Sequence, residues 1–365
     1  MNTGKQFTAL LIIAMSLLSS CGSNRPSGAT LTPTPPLTDT PTTIPTLTNV
    51  PTFTNTPTNI STRTPTPLHP LGKIIYHESA IPSEYNYFSY IPKTLSRDKK
   101  VYIVIGPDYG QCQECCDVEG TASNVEYFMN SYLSYADAHE YILLFPVISN
   151  NCDGIRDQWV LHFPNYVFTD PVDSPFFRPD LELNASIDSL QELLRTDGYN
   201  VNEKVFIFGF SVGGLAANRY TLLQPKRIQA FAAGGTAGDI CIPDDNIQGV
   251  KLNWPLGTNN FEGLVGVLFD RDAYFKVPQL YFLGDEDLER SYDYLNLCSA
   301  GYDIYCFLVN YWGRDIVTAF RNQCAYLQEL GMDVICQEYP GVKHEFTAEM
   351  KDDVFDYFDK IRTGN

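Results

Sequence analysis

Positive charge is scarce in this chain. Its 365 residues carry 25 Lys and Arg against 43 Asp and Glu, a formal net charge of −18. Nucleic-acid binding needs clustered Lys and Arg against phosphates, so this balance argues against such a partner. It argues equally against docking of the folded part on an anionic membrane surface. Gly-x-Gly-x-x-Gly after a strand and the Walker pattern are both missing, which removes the usual nucleotide and flavin cradles. Cys112-x-x-Cys115-Cys116 has no second Cys-x-x-Cys and no His-rich partner, so zinc is unsupported. No metal and no cofactor is expected. Histidine is sparse as well, five in all, and that scarcity becomes useful below.

What is present begins with an address. Lys5 supplies a positive start, and Phe7 to Leu18 is an apolar run too short to span a bilayer comfortably. It ends in Leu18-Ser19-Ser20-Cys21, which resembles the lipobox of a bacterial lipoprotein. That resemblance implies a signal peptide over residues 1–21 and lipidation of Cys21. The membrane is then contacted through the N-terminal lipid only. Residues 22–69 read as a disordered linker: from Thr30 to Leu68, 16 Thr and 9 Pro take 25 of 39 positions. Such a stretch buries too little apolar surface to offset its ordering entropy, and proline keeps it extended. Both features predict an extracytoplasmic protein, lipid-anchored to the cell membrane or secreted.

Residues 70–365 form the expected catalytic domain, with 22 basic and 42 acidic side chains once Lys5, Arg25, Arg63 and Asp39 are set aside. Nine cysteines remain after Cys21, so at least one thiol is expected to be unpaired within the molecule. The Cys112/Cys115/Cys116 group reads as a disulfide cluster with Cys152 as one candidate partner; spacing does not fix the connectivity.

Short continuous apolar runs at Lys100–Ile105, Tyr141–Val147 and Val205–Phe208 suit buried parallel strands. Further strands are expected at Asn86–Ile91, Ile228–Ala233, Gln279–Leu283 and Val334–Tyr339. Helical spacing marks Asn124–His139, Ile187–Leu194, the segment up to Leu223, Ile316–Leu330 and Thr347–Ile361. The alternation predicts an α/β fold, a mainly parallel central sheet with helices on both faces.

The strand Val205-Phe206-Ile207-Phe208 leads into Gly209-Phe210-Ser211-Val212-Gly213-Gly214, and a helix follows. This is Gly-x-Ser-x-Gly in the strand–turn–helix setting of a nucleophile elbow, where side chains at Gly209 and Gly213 would clash with nearby backbone. Here the chain resembles the α/β-hydrolase superfamily over most of residues 85–365. The segments Asp173-Ser174-Pro175-Phe176-Phe177-Arg178, Trp254-Pro255-Leu256-Gly257 and Val277-Pro278 look like a bacterial esterase group, similar also to polyester-depolymerase-like enzymes.

The resemblance implies a triad ordered Ser, acid, His. His69, His77, His139 and His162 precede Ser211, which leaves His344 alone, in the loop after a strand. The acid follows the strand ending at Leu283, and the family's spacing after Gly284 gives Asp287, with Asp285 and Glu286 as rivals. Val212 N–H is one expected oxyanion donor. The other is expected from the loop after Ile105, where Pro107 has no N–H and Asp108 or Tyr109 is the candidate. Inserted segments at residues 150–180 and 244–276 offer Trp159 and Trp254 as expected substrate-binding walls. The function implied is a serine hydrolase cleaving small-molecule or polymeric carboxylic esters through an acyl-enzyme. The alternatives are a single-domain prolyl-oligopeptidase-like peptidase and a non-catalytic surface binding lipoprotein.

Overall fold

The computed structural model describes residues 69–79, 85–107, 115–153, 159–236, 238–287 and 297–364. The signal segment, Cys21, nearly all of the Thr/Pro-rich stretch, Asp108, Tyr109 and Cys112 lie outside the described residues.

Eleven strands are described. They are β1 (Ile74–His77), β2 (Tyr87–Tyr90), β3 (Lys100–Ile105), β4 (Tyr141–Pro146), β5 (Asn200–Val201), β6 (Val205–Phe210), β7 (Ile228–Gly234), β8 (Asn246–Ile247), β9 (Val250–Lys251), β10 (Gln279–Gly284) and β11 (Val334–Tyr339). The main sheet runs β1-β2-β4-β3-β6-β7-β10-β11, with β5 alongside β3. The β1–β2 and β2–β4 pairings are antiparallel and every later pairing in that order is parallel. Strands β8 and β9 form a separate hairpin.

Every residue of β4, β6 and β10 is buried. Alternate side chains of a strand point to opposite faces, so full burial means that both faces of the sheet are covered. That is why these segments read as unbroken apolar runs rather than as alternating ones. The longer helices are α1 (Val118–Asn130), α2 (Leu133–His139), α3 (Pro179–Thr196), α4 (Val212–Leu223), α5 (Asp303–Trp312), α6 (Ile316–Glu329) and α7 (Ala348–Thr363). Three start on a side-chain cap: Asp117 accepts from Gly120 N, Asp315 from Thr318 N and Thr347 from Met350 N. Helix α7 presents Phe358 to Phe206, ring centroids 4.7 Å apart, and Phe355 to Phe208 at 5.8 Å.

Helix α4 is the structural centre, with every residue from Gly213 to Leu223 buried. A helix enclosed all round must satisfy its polar side chains internally. Asn218 Nδ2 donates to the Tyr274 and Tyr281 hydroxyls at 3.3 and 3.0 Å, and its Oδ1 accepts from Cys241 N at 2.9 Å. Arg219 donates to the carbonyls of His162 at 2.5 Å and Asp239 at 3.1 Å. These bonds fix the helix that begins directly after Ser211.

Disulfides join Cys116 to Cys152, Cys298 to Cys306 and Cys324 to Cys336. The first ties the segment entering α1 to the segment leaving β4; the third ties α6 to β11. Cys241 is a free, buried thiol, and burial pushes its pKa up to about 12. Among the described residues no helix is long and apolar enough to cross a membrane.

Candidate active site

The site gathers at the carboxyl ends of the parallel strands, where open α/β sheets place their ligands. Strand β6 ends at Phe210, and Ser211 follows with φ 55° and ψ −117°. A non-glycine residue with positive φ is strained, and here the surroundings hold it in place. Ser211 N donates to Gly234 O at 2.8 Å, and Ser211 O accepts from Leu215 N at 3.0 Å. The turn closes because Gly209 has no side chain: a Cβ there would lie 2.2 Å from the Gly213 carbonyl carbon and oxygen. Gly213 is thus the backbone that Gly209 must clear. The second close approach falls on Gly214, where a Cβ would lie 2.5 Å from Thr236 Cγ2 and 2.6 Å from Gly234 O.

Strand β11 ends at Tyr339 and leads to His344; strand β10 ends at Gly284 and leads to Asp287. The Nδ1 atom of His344 lies 2.8 Å from Asp287 Oδ2. Asp287 is fully buried, while His344 keeps 18% of its side chain exposed. Beside an acceptor-only carboxylate, Nδ1 must carry the ring proton, which leaves Nε2 with its lone pair. The second oxygen, Asp287 Oδ1, has no hydrogen-bond partner among the described residues.

The rival acids are placed elsewhere. Asp285 Oδ1 accepts from Gly341 N at 2.6 Å, and Glu286 is exposed. Their backbone closes the loop, with Glu286 N donating to Val342 O at 2.9 Å and Asp285 N to Tyr339 O at 3.0 Å. Gly284 permits this contact, since a Cβ on it would lie 2.1 Å from Val342 O. The acid loop and the histidine loop are therefore joined backbone to backbone.

Ser211, Val212 and His344 line one cleft of about 620 Å³. Val212 opens α4, so its N–H belongs to the unpaired first turn of a helix and lies at the positive end of the helix dipole. Phe210 packs against His344 with ring centroids 4.9 Å apart. The β3 loop keeps its backbone close to β4: Gly106 N donates to Leu144 O at 3.1 Å, and a Cβ on Gly106 would strike the Phe145 ring. Asp108 and Tyr109, the expected second donors, lie outside the described residues.

The expected aromatic walls stand differently. Trp254 is 2% exposed, donates Nε1–H to Phe163 O at 2.6 Å, and packs edge-on against Phe168 and Phe261. It is a core residue with its one polar atom satisfied, and it does not line the cleft. Trp159 is half-buried near His162, ring centroids 6.2 Å apart, and is also absent from the lining. Instead the walls are Tyr127, Phe128 and Tyr132, from α1 and the turn after it, and Phe346. The adjacent aromatics Tyr127-Phe128 within a stretch of helical spacing were the available sequence signal for them.

No protein-family model and no curated protein sequence matches the chain. Solved structures do. Poly(aspartic acid) hydrolase-1 from Sphingomonas sp. KT-1 superimposes with a TM-score of 0.53 at 17% identity, covering 79% of this chain and 98% of that one. A poly(3-hydroxybutyrate) depolymerase from Bordetella parapertussis gives a TM-score of 0.48 at 18% identity, covering 75% and 84%. At such identities the likeness establishes the fold alone, and the first of the two carries it. The mainly parallel sheet with covered faces is that of an α/β-hydrolase.

Proposed function

From the α/β-hydrolase fold and the contents of its cleft, we propose that this chain is an extracytoplasmic serine hydrolase of carboxylic esters. One observation carries the reading. A strained serine at a strand–helix elbow shares a cleft with a histidine whose Nδ1 is held 2.8 Å from a fully buried aspartate.

The chemistry follows from those atoms. A free serine hydroxyl is a poor nucleophile at neutral pH, so His344 Nε2 takes the Ser211 proton as Oγ attacks the ester carbonyl carbon. The carbonyl π-electrons move to oxygen, and Val212 N–H donates to that oxyanion together with a backbone donor from Asp108 or Tyr109. Asp287 holds the imidazole tautomer and stabilises the imidazolium. Collapse of the tetrahedral intermediate breaks the carbon–oxygen bond to the alcohol, which leaves with the proton from Nε2. Water then repeats the cycle on the acyl-enzyme, releasing the acid and restoring Ser211.

The three disulfides among the described residues fit an oxidising compartment. With the lipobox-like Leu18–Cys21, they support display outside the cytoplasm on a lipidated Cys21 and a Thr/Pro stalk. The substrate is a small-molecule or polymeric ester. Fluorophosphonate labelling of wild type, Ser211→Ala and His344→Ala tests the reading, with 4-nitrophenyl acetate and butyrate turnover followed in parallel. Labelling and turnover lost in both variants are expected. A folded, disulfide-intact wild type that neither labels nor turns over would overturn it in favour of a binding protein.

A further inference from the structure

The cleft beside Ser211 has an unusual wall. Among its described lining residues the aromatic side chains are Tyr127, Phe128, Tyr132, Phe210 and Phe346, beside His344, and Val212 is the one apolar aliphatic member. Three of the rings form a series outward from the histidine. Phe210 lies 4.9 Å from His344, stacks on Phe346 at 5.5 Å and 11°, and Phe346 lies 6.4 Å from Tyr132. Tyr127, 75% exposed, and Phe128 form a separate edge-on pair at 5.5 Å on α1. Lys351 Nζ stands over Tyr132 and Phe346 at 5.0 and 5.4 Å, which places a positive charge against these two rings.

We propose that this cleft is a subsite for a flat aromatic group of the ester substrate, held by Phe128 and Phe346, with the buried Tyr132 backing Phe346. The assignment rests on the ester-hydrolase reading for its chemistry and on the ring series for its selectivity. A wall of aliphatic side chains accepts alkyl chains and rings alike, because area burial is non-directional. A wall of rings adds the edge and face preferences of the aromatic quadrupole, which a puckered saturated ring of the same carbon count cannot return. Two such contacts amount to a preference of about tenfold. The volume of about 620 Å³ lies within the range of small-molecule pockets.

The test compares esters that differ in the ring alone, using the whole chain with its disulfides intact. One pair is 4-nitrophenyl 3-phenylpropanoate against 4-nitrophenyl 3-cyclohexylpropanoate; the other is benzyl butyrate against cyclohexylmethyl butyrate. The expected result is a kcat/KM about tenfold higher for the aromatic member of at least one pair, which also tells whether the ring sits on the acyl or the alcohol side. Phe346→Leu and Phe128→Leu should each bring that ratio toward one, with thermal melting as the folding control. Turnover of all four esters with ratios within twofold of one would overturn the aromatic subsite and leave the hydrolase reading standing. Binding of methyl 3-phenylpropanoate and its cyclohexyl counterpart to Ser211→Ala separates the remaining cases. Tighter binding of the phenyl compound by a wild type that turns nothing over would support the subsite and sink the hydrolase reading. Equal binding would overturn the subsite.

Discussion

Asp287 and His344, 57 positions apart in sequence, are joined by a 2.8 Å hydrogen bond from Nδ1 to Oδ2, and the carboxylate is fully buried. An amide at position 287 would present a donor or a weaker acceptor to Nδ1 and would no longer stabilise an imidazolium. Asp287→Asn should therefore lower kcat on the order of 10³–10⁴-fold while the chain still folds. Steady-state ester hydrolysis checks this; a variant within tenfold of wild type would remove Asp287 from the triad. Asp285→Asn and Glu286→Gln serve as contrasts, because neither side chain reaches His344.

The elbow gives a second prediction. Gly209→Ala forces a Cβ to within 2.2 Å of the Gly213 backbone, and backbone cannot give way as a flexible side chain does. A loss of about 1–3 kcal/mol of stability is expected, with labelling of Ser211 abolished. Gly263→Ala is the paired control, since nothing lies within 4 Å of a Cβ there and the residue sits in the helical turn Phe261–Val265. It should be neutral or stabilising by up to about 1 kcal/mol. Urea denaturation distinguishes the two; equal effects would mean that the elbow is looser than described.

A pH dependence follows from His77. It stacks against His69 at 4.9 Å and Tyr87 at 4.3 Å, and its Nε2 lies 2.8 Å from Ser89 Oγ. Burial, and then the neighbouring His69, lower its pKa from 6.5 to about 4. A depressed histidine is neutral when folded and protonates more readily when unfolded. Its contribution is therefore fully present above pH 6.5, is lost as pH falls toward 4, and then levels off. The loss is at most about 3 kcal/mol, and less because water still reaches part of the ring. His69, also lowered by burial, acts in the same direction. The difference in unfolding free energy between wild type and His77→Gln should change across this window; a flat difference would refute the assignment.

The thiol chemistry is equally specific. Cys241 is buried, and its raised pKa keeps the unreactive thiol form at neutral pH. Iodoacetamide should leave the Cys241 peptide unmodified in the native protein and modify it fully in guanidinium, as mass spectrometry would read. Rapid native modification would show that the helix α4 surroundings open readily.

The placement of Ser211 and Asp287 after strand ends was legible because the runs Val205–Phe208 and Gln279–Leu283 are apolar, and His344 stood out because it is the one histidine after Ser211. Other features depended on contacts that spacing does not carry. The helical stretch Asn124–His139 is two helices, broken at Ser131–Tyr132. The first begins six residues earlier because Asp117 caps Gly120. Helix α3 likewise starts at Pro179 rather than Ile187, its first turn secured when Arg178 pairs with the buried Asp180. Strand β1 is short and only partly buried, so its pairing with β2 rather than its own pattern makes it a strand. Helix α5 went unread, although Cys298–Cys306 fastens its first turn. Trp254 looked like a pocket wall because its composition suits one; its indole N–H finds Phe163 O in the core instead.

The backbone junction between the acid and histidine loops has a kinetic meaning. Glu286 N is bonded to Val342 O, and Asp285 N to Tyr339 O. Neither amide can be freed without parting the same two loops. In deuterated water both protons should therefore exchange at one common rate, set by a single opening event. That event would also separate Asp287 from His344, so the exchange rate of these two amides would clock how often the pair comes apart.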